Sequence, residues 1–576
     1  GHTQRPWLVP LSATEASPFG PSSQGWRISE VQDAKAKVNA ETSNGEADET
    51  VICHVAADGF EERMVPFPVP SGSYRDLAVV KDGVVWIEVA DRGGELGATR
   101  AGVTGEAPSD VLCHYNLSAR HLDKLCERVD TFSVSGDGER LVVRHRDDTI
   151  VVPSSHKVDD DDPAYIRVDL TRLRRTVNPR AEWRQMFDEN GRLMASHYWR
   201  EDMNGVDWDG VLNRYRPLVD LCHVVDDLHD ILWETVAELN TSHSYVSASG
   251  AAGDSDMRAG LLGADVSSGD DGARVVRVIP GESSDPRAWS PLRAAGVAVT
   301  EGDVIVAVDG RKVGADGNLG ELLEGSAGRV VELTVRRGEN ERQVAVVPMA
   351  DEAPLRYHDW VASRRRYVEE HSGGRLGYLH VPDMVSDGWA ELHRQIGEAT
   401  RHEGVIADVR FNHGGHTSQL VVERLARRVV GWDYSRWYAT ADTYPQNAVR
   451  GPIVMVTNQW AGSDGDIVAA ATQAMGYAKV IGERSWGGVV GIDGRFDLVD
   501  GTSVTQPRYA GWYGSYGWGV ENHGVDPDIV VTVSPEDWEA DCDVQLDAAI
   551  AECLRQLDDK PAATAPELPG PAFDRC

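Results

Sequence analysis

The chain has 576 residues, more than one hydrophobic core accommodates, so roughly three or four domains are expected. Its 57 Lys and Arg face 92 Asp and Glu, a formal net charge of −35 at pH 7, which argues against nucleic acid or anionic lipid as a partner. No apolar run approaches the roughly 20 residues of a membrane helix, and the opening Gly1-His2-Thr3-Gln4-Arg5-Pro6 carries no apolar leader.

Residues 1–175 read as short antiparallel strands. Leu77-Ala78-Val79-Val80, a Lys81-Asp82-Gly83 turn and Val84-Val85-Trp86-Ile87-Glu88-Val89 form a hairpin signature. The pattern recurs at Thr131-Phe132-Ser133-Val134, Ser135-Gly136-Asp137-Gly138 and Leu141-Val142-Val143-Arg144, with a further strand at Thr149-Ile150-Val151-Val152. Repeated short strands with Asp-Gly turns predict blades of a β-propeller, too few to close a ring. The polar, acidic segments 40–50 and 155–163 read as exposed loops.

From about residue 180 the period becomes helical. Ala181 to Trp199 and Trp208 to Leu239 carry apolar residues at helix spacing, with Leu218, Leu221, Val225, Leu228, Leu232 and Val236 as the buried face and Asp207 as the cap. This region ends at Thr241-Ser242-His243. The next hundred residues form a separate module. Gly260-Leu261-Leu262-Gly263 is a loop whose amides could hold a carboxylate, and Ala295-Gly296 leads to Gly302-Asp303-Val304-Ile305-Val306-Ala307-Val308-Asp309-Gly310. That run resembles a PDZ domain, a fold that captures an extended peptide at a sheet edge or serves as a rigid spacer.

Residues 351–555 alternate strands and helices. Strands are predicted at 377–381, 404–409 and 453–456, and helices at 387–400, 418–430 and 464–475, which is an α/β layered domain. Within it, Ile453 to Thr457, Asn458-Gln459-Trp460-Ala461-Gly462-Ser463-Asp464-Gly465-Asp466 and the Ala-rich run after it read as strand, tight turn and helix. A serine there has its hydroxyl lifted clear of the sheet beside helix-starting amides that can hold an oxyanion. The same residues also suit a simple helix cap. The tail from Lys560 is rich in Pro and Ala and reads as frayed.

Seven cysteines, at 53, 113, 126, 222, 542, 553 and 576, are odd in number, widely spaced and without a CxxC pair. They read as reduced core thiols of a cytoplasmic protein. His413 and His416 flank a Gly-Gly pair without an acidic or thiol ligand set, so no metal is expected.

Four motifs remain: Thr241-Ser242-His243, Arg410-Phe411-Asn412-His413-Gly414-Gly415, Ala461 to Asp466, and Gly519-Val520-Glu521-Asn522-His523-Gly524-Val525-Asp526-Pro527-Asp528. In this order, with the PDZ-like module between the first and second, they resemble the tricorn proteases. Those are cytoplasmic peptidases of archaea and some bacteria, related to the tail-specific (C-terminal processing) proteases. The resemblance covers about residues 180–540 through motifs and the first 170 residues only as the end of a propeller. The chain is therefore expected to correspond to a C-terminal half, with a further propeller portion supplied elsewhere.

The resemblance implies a multidomain α+β architecture: a partial β-propeller at 1–175, a helical subdomain carrying the base at 176–249, a PDZ-like domain at 250–350, a ClpP/crotonase-like α/β serine protease domain at 351–555 and a flexible tail at 556–576. It makes Ser463 the nucleophile and His243 the general base, with Ser242 and Glu521 completing a tetrad. The amides of Asp464 and Gly415 would form the oxyanion hole, with Gly414 shaping the approach. Asp433, with Asp442 as a rival, would favour basic side chains on the acyl side of the cleaved bond. The chemistry stands on its own terms, because a serine hydroxyl needs an adjacent base near pH 7 and the imidazole tautomer must be fixed by a partner.

One departure is informative. Tail-specific proteases carry a lysine base in a Gly-Glu-Arg-Thr-x-Gly-Lys type segment, and here Gly482-Glu483-Arg484-Ser485-Trp486-Gly487-Gly488 has glycine at that place. The expected function is hydrolysis of short oligopeptides, such as proteasome products, by a cofactor-free, homo-oligomeric (hexameric) serine peptidase. A tail-specific protease and a non-catalytic PDZ scaffold are the alternatives.

Overall fold

The structure, a computed structural model, describes residues 4–11, 19, 55–58, 60–90, 109–146, 148–248, 257–314, 318–437, 439–493 and 496–568. The acidic segment 40–50, Cys53, Cys576 and the tail beyond residue 568 lie outside the described residues. The chain forms two compact units, one holding the described residues up to Thr176 and the other those from Val177 onward.

The first unit contains two four-stranded antiparallel sheets, each a meander in chain order. Ser73–Val80, Gly83–Val89, Val111–Asn116 and His121–Glu127 make one; Thr131–Val134, Arg140–His145, Asp148–Pro153 and Ile166–Val168 make the other. The Lys81-Asp82 turn closes its hairpin with Val80 opposite Gly83. Val85, Ile87, Leu112 and Leu141 are fully buried in one core, and Trp86 and Cys113 in another. Among the described residues these two sheets close no ring, and the expected propeller is not established by them.

In the second unit the helix Pro179–His197 starts on an Asn178 cap and Trp208–Val219 on Asp207, whose side chain accepts the Gly210 amide at 3.0 Å. The continuous helix expected over 208–239 is broken. Pro217 removes an amide from its last turn, and the side chain of Asp227 takes the amides of His223 and Val224 to start a new helix, Val225–Ala237. The face changes with the break: Leu228, Leu232 and Val236 are buried as expected, whereas Leu218, Leu221 and Val225 are exposed.

The module that follows is a sheet ordered Ala264–Gly269, Gly272–Val278, Val304–Val308, Val331–Arg337, Asn340–Val346, around a core that includes Val275, Ile305, Leu333 and Val335. Two amides of the loop expected to hold a carboxylate are already bonded, Gly260 to Leu323 O and Leu261 to Met349 O, both at 2.8 Å.

The last domain is built on a five-stranded parallel sheet ordered Leu376–His380, Gly404–Asp408, Ile453–Thr457, Ala478–Gly482, Ile529–Val530. Its inner strands are apolar on both faces because helices cover both. Leu379, Val405, Ala407 and Met455 pack against Ser386–Ala399, Ser418–Leu425 and Asp464–Met475. Tyr378, Ile406, Val454 and Val456 pack against Ala353–His371 and Val544–Asp559. The helix expected over 418–430 stops at Leu425, and Gly431–Asp433 turns into a two-stranded ribbon with Asp442–Tyr444. Cys113, Cys222 and Cys553 are buried thiols; Cys542 is exposed, against expectation. Past the last helix, the Ala563 amide donates to Arg450 O at 2.8 Å. No helix of the described residues is long and apolar enough to cross a membrane.

Candidate active site

The parallel sheet delivers its loops to one edge. Ile453–Thr457 ends at Asn458, whose Oδ1 accepts the amides of Phe411 at 3.0 Å and Trp460 at 3.2 Å, tying the loops after two adjacent strands together. The Gly462 amide donates to Asn412 O at 3.0 Å, while Asn412 Oδ1 accepts the Gly414 amide at 2.9 Å. Ser463 is thereby held at φ 57°, ψ −121°, outside the regions open to an unstrained L-residue, immediately before the helix Asp464–Met475. This is the geometry of a nucleophile elbow.

Two glycines make the close approach possible. A Cβ on Gly414 would lie 2.5 Å from Ser463 Cβ, and one on Gly415 would lie 2.1 Å from Met384 O. Their φ values are 75° and 146°. The carbonyls of Gly414 and Met384 bond across to Met384 N and His416 N, both at 2.7 Å, fixing the strip. Among the described residues neither the Gly415 nor the Asp464 amide donates to a protein acceptor. The Asp464 carboxylate instead accepts the Ser418 amide at 3.0 Å.

His243 comes from a different part of the chain. The turn at Asn240 and His243, both at positive φ, leads into Val246–Ser247, which pairs with Ser503–Val504. Tyr245 and Thr505 exchange two further hydrogen bonds, Tyr245 N to Thr505 Oγ1 at 2.7 Å and Thr505 N to Tyr245 O at 3.0 Å. Ser242 Oγ lies 3.1 Å from His243 Nδ1 and donates to Glu521 Oε2 at 3.0 Å. A hydroxyl has one proton, so with it given to Glu521 the oxygen accepts from Nδ1–H, which leaves the Nε2 lone pair free.

Glu521 is anchored on every side. Oε1 accepts the Ser242 amide at 2.6 Å and the Thr241 hydroxyl at 3.4 Å, and Oε2 also accepts the amides of Val489 at 2.8 Å and Val490 at 3.0 Å. Burial pushes the His243 imidazole below its usual pKa, against the opposing charge of Glu521 and the backbone of Val490. A cavity of about 480 Å³, lined in part by Trp199, Arg200, Trp518 and Asn522, opens on the far side of Glu521.

The structure brings the expected residues together in two groups. Ser242, His243 and Glu521 form one hydrogen-bonded chain, and Ser463, Gly414, Gly415 and Asp464 form one elbow. Among the described residues no hydrogen bond joins Ser463 Oγ to His243; Trp486 touches both sides. Its ring lies edge-on to His243 at 5.6 Å, its amide donates to Ala461 O at 3.0 Å, and a Cβ on Gly462 would sit 2.7 Å from its Cε3. Asp433 and Asp442 face each other as Cα partners on the exposed ribbon, and no contact among the described residues links either to the elbow. Gly488 leaves no room for a side chain, since a Cβ there would lie 2.2 Å from Trp486 Cζ3. Sequence reasoning missed Trp486 and the Val489 and Val490 amides. Backbone donors carry no residue signature, but their place just after the glycine pair was a usable signal.

Three segments match known families: residues 179–237 the Tricorn protease C1 domain, 260–351 the Tricorn protease PDZ domain and 375–531 Peptidase family S41. The chain is 53% identical to Tricorn protease homolog 1 of Streptomyces coelicolor, over 98% of this chain and 52% of that protein. It is 34% identical to the Tricorn protease of Thermoplasma acidophilum, over 86% of this chain and 46% of that protein. The crystal structure of the tricorn protease superposes with a TM-score of 0.81 at 31% identity, covering 96% of this chain and 51% of that one. The chain thus spans about half the length of the curated relatives it matches. With helical, PDZ and peptidase segments matched in this order, the chain belongs to the tricorn protease family, and its α/β domain is that of a serine peptidase family.

Proposed function

We propose that this chain hydrolyses short oligopeptides through a tetrad of Ser463, His243, Ser242 and Glu521. The observation that carries this reading is the hydrogen-bonded chain from Glu521 through Ser242 to His243 Nδ1, together with a serine held at an elbow and Trp486 in contact with both. His243 Nε2 takes the Ser463 hydroxyl proton as Oγ attacks the scissile carbonyl, and the imidazolium so formed is stabilised by Glu521 through Ser242. The amides of Gly415 and Asp464 receive the oxyanion. The imidazolium then gives its proton to the leaving amine, and water repeats the sequence on the acyl-enzyme. Proton transfer needs a separation of about 2.6–3.2 Å; the reading places that contact in the substrate complex.

The same proposal includes the family-implied features: peptides of the kind a proteasome releases, a hexameric ring, a cytoplasmic location, propeller blades in the first unit, and Asp433 as a selector for basic side chains. A tail-specific mechanism is less well supported because its lysine would have to replace Gly488, where Trp486 fills the space. The test is hydrolysis of a fluorogenic peptide by the chain. Ser463→Ala and His243→Ala each abolish turnover with the fold intact on this account, and undiminished turnover in either would refute it.

A further inference from the structure

Asp466 lies in the first turn of the Asp464–Met475 helix and is fully buried. An acid there ordinarily favours the helix N-terminus through its dipole, but this carboxylate is also spoken for by another segment. Oδ1 accepts from Ser485 Oγ at 2.5 Å and from the Gly487 amide at 2.8 Å, and Oδ2 accepts from the Gly488 amide at 3.1 Å. Burial pushes its pKa up, while these donors and the Ser463 backbone favour the charged form. No lysine or arginine pairs with it among the described residues. An unpaired buried carboxylate is costly unless hydrogen-bonded, so the 485–488 loop and Asp466 stabilise each other.

That loop touches both groups of site residues. Ser485 Oγ accepts the Val525 amide at 2.8 Å, and Gly487 O accepts the Asn522 amide at 2.7 Å, so the segment immediately after Glu521 is bound to it. Trp486 donates to Ala461 O in the elbow, and the next two amides, Val489 and Val490, hold Glu521 Oε2. Among the described residues Asp466 is therefore the side chain by which the helix Asp464–Met475 grips this loop.

We propose that Asp466 is a positioning residue that sets the Ser463 elbow relative to the Glu521–Ser242–His243 chain, in the loop where tail-specific proteases carry their lysine. The inference rests on the catalytic reading of those four residues. Asn in its place keeps the shape but turns an NH2 toward donors, leaving at least one loop amide without an acceptor.

The experiment is active-site titration of the full chain with a fluorophosphonate, alongside peptide kinetics, for wild type, Asp466→Asn, Ser485→Ala and Ser463→Ala. The expected result for Asp466→Asn is an unchanged number of titratable sites, with the labelling rate constant and kcat per site down about 10²-fold, as for a displacement of about an ångström. KM stays within about twofold, because substrate contacts made by the elbow glycines are untouched. Ser485→Ala, which keeps both backbone donors, shows a smaller loss in the same per-site constants. A purely structural role lowers the number of titratable sites and leaves the remainder at wild-type speed, and that result overturns the inference. If Asp466→Asn does not fold, wild-type per-site rates in Ser485→Ala overturn it instead. Failure of wild type to label at Ser463 removes the catalytic reading itself, which the Asp466 and Ser485 variants alone do not test.

Discussion

Glu521 and Ser242 are joined twice, the carboxylate accepting the Ser242 amide at 2.6 Å through Oε1 and its hydroxyl at 3.0 Å through Oε2. The double contact fixes the serine rotamer, and with it the face that Ser242 Oγ presents to His243 Nδ1. Ser242→Ala keeps the backbone half of this clamp and loses the tautomer control. Its kcat is expected to fall about 10²-fold with KM little changed, because general-base efficiency of that order depends on a correctly held imidazole. Steady-state kinetics on a short peptide checks this.

Glu521→Gln makes a second, directional test. Burial lowers the His243 pKa and the Glu521 charge raises it. Removing that charge leaves burial less opposed, so the acid limb of the kcat/KM profile moves to lower pH while the plateau falls. A limb that moves to higher pH would contradict the assignment. The pH profile of both proteins is the measurement.

Gly414→Ala places a methyl 2.5 Å from Ser463 Cβ at a φ of 75°. Backbone strain alone costs about 1 kcal/mol, yet the elbow must shift. Turnover is expected to drop at least about 10²-fold, the cost of losing an oxyanion donor, with cooperative unfolding retained. Gly320→Ala, where a Cβ meets nothing within 4 Å, leaves turnover unchanged as the control.

Gly488→Lys tests the alternative mechanism. A Cβ at that position meets Trp486 Cζ3 at 2.2 Å, so the lysine displaces the indole that packs against Gly462 and faces His243. The lysine is expected to lower activity in the wild-type background and to restore none to His243→Ala. Recovery of peptide hydrolysis in the double variant would favour a Ser-Lys dyad.

Arg410 supports the carboxyl edge of the sheet from below, bonding Asp408 and Asp543, each at 2.7 Å, with all three side chains buried. Arg410→Met leaves Asp408 without its cation and Asp543 with Arg364 alone, at 3.2 Å, and breaking such a buried pair costs about 3–5 kcal/mol. Burial raises the Asp543 pKa, but Arg410 and further hydrogen bonds bring it below the usual value. The sign follows: this contribution is present above the unfolded carboxyl pKa and is lost as pH falls through the lower folded one. Wild type therefore loses stability toward acid over that window, and Arg410→Met, already destabilised at neutral pH, shows a flatter acid dependence. Urea melts at several pH values report both.

The strand, elbow and helix around Ser463 were legible because a β-branched run, small turn residues and an Ala-rich run follow one another within a single stretch. The break after Val219 was not, because Leu218, Leu221 and Val225 continue a helical period that Pro217 and the Asp227 cap override. Residues of the candidate site that act through side chains could be named from motifs, whereas Val489 and Val490 act through amides that any residue supplies. Asp466 read as part of a helix start because its partners lie about twenty residues on, in a loop whose path the sequence does not dictate. Asp442 competed with Asp433 because both lie in the same stretch of sequence, and the ribbon sets the two opposite one another.

The proposed mechanism requires His243 to serve Ser463 as its base. It is tested most directly by mass spectrometry after incubation with a peptide chloromethyl ketone carrying a basic residue next to the ketone. The expected result is one adduct bridging Ser463 and His243, absent from Ser463→Ala. An intact, folded protein that forms no such adduct, or one alkylated equally in Ser463→Ala, would contradict it.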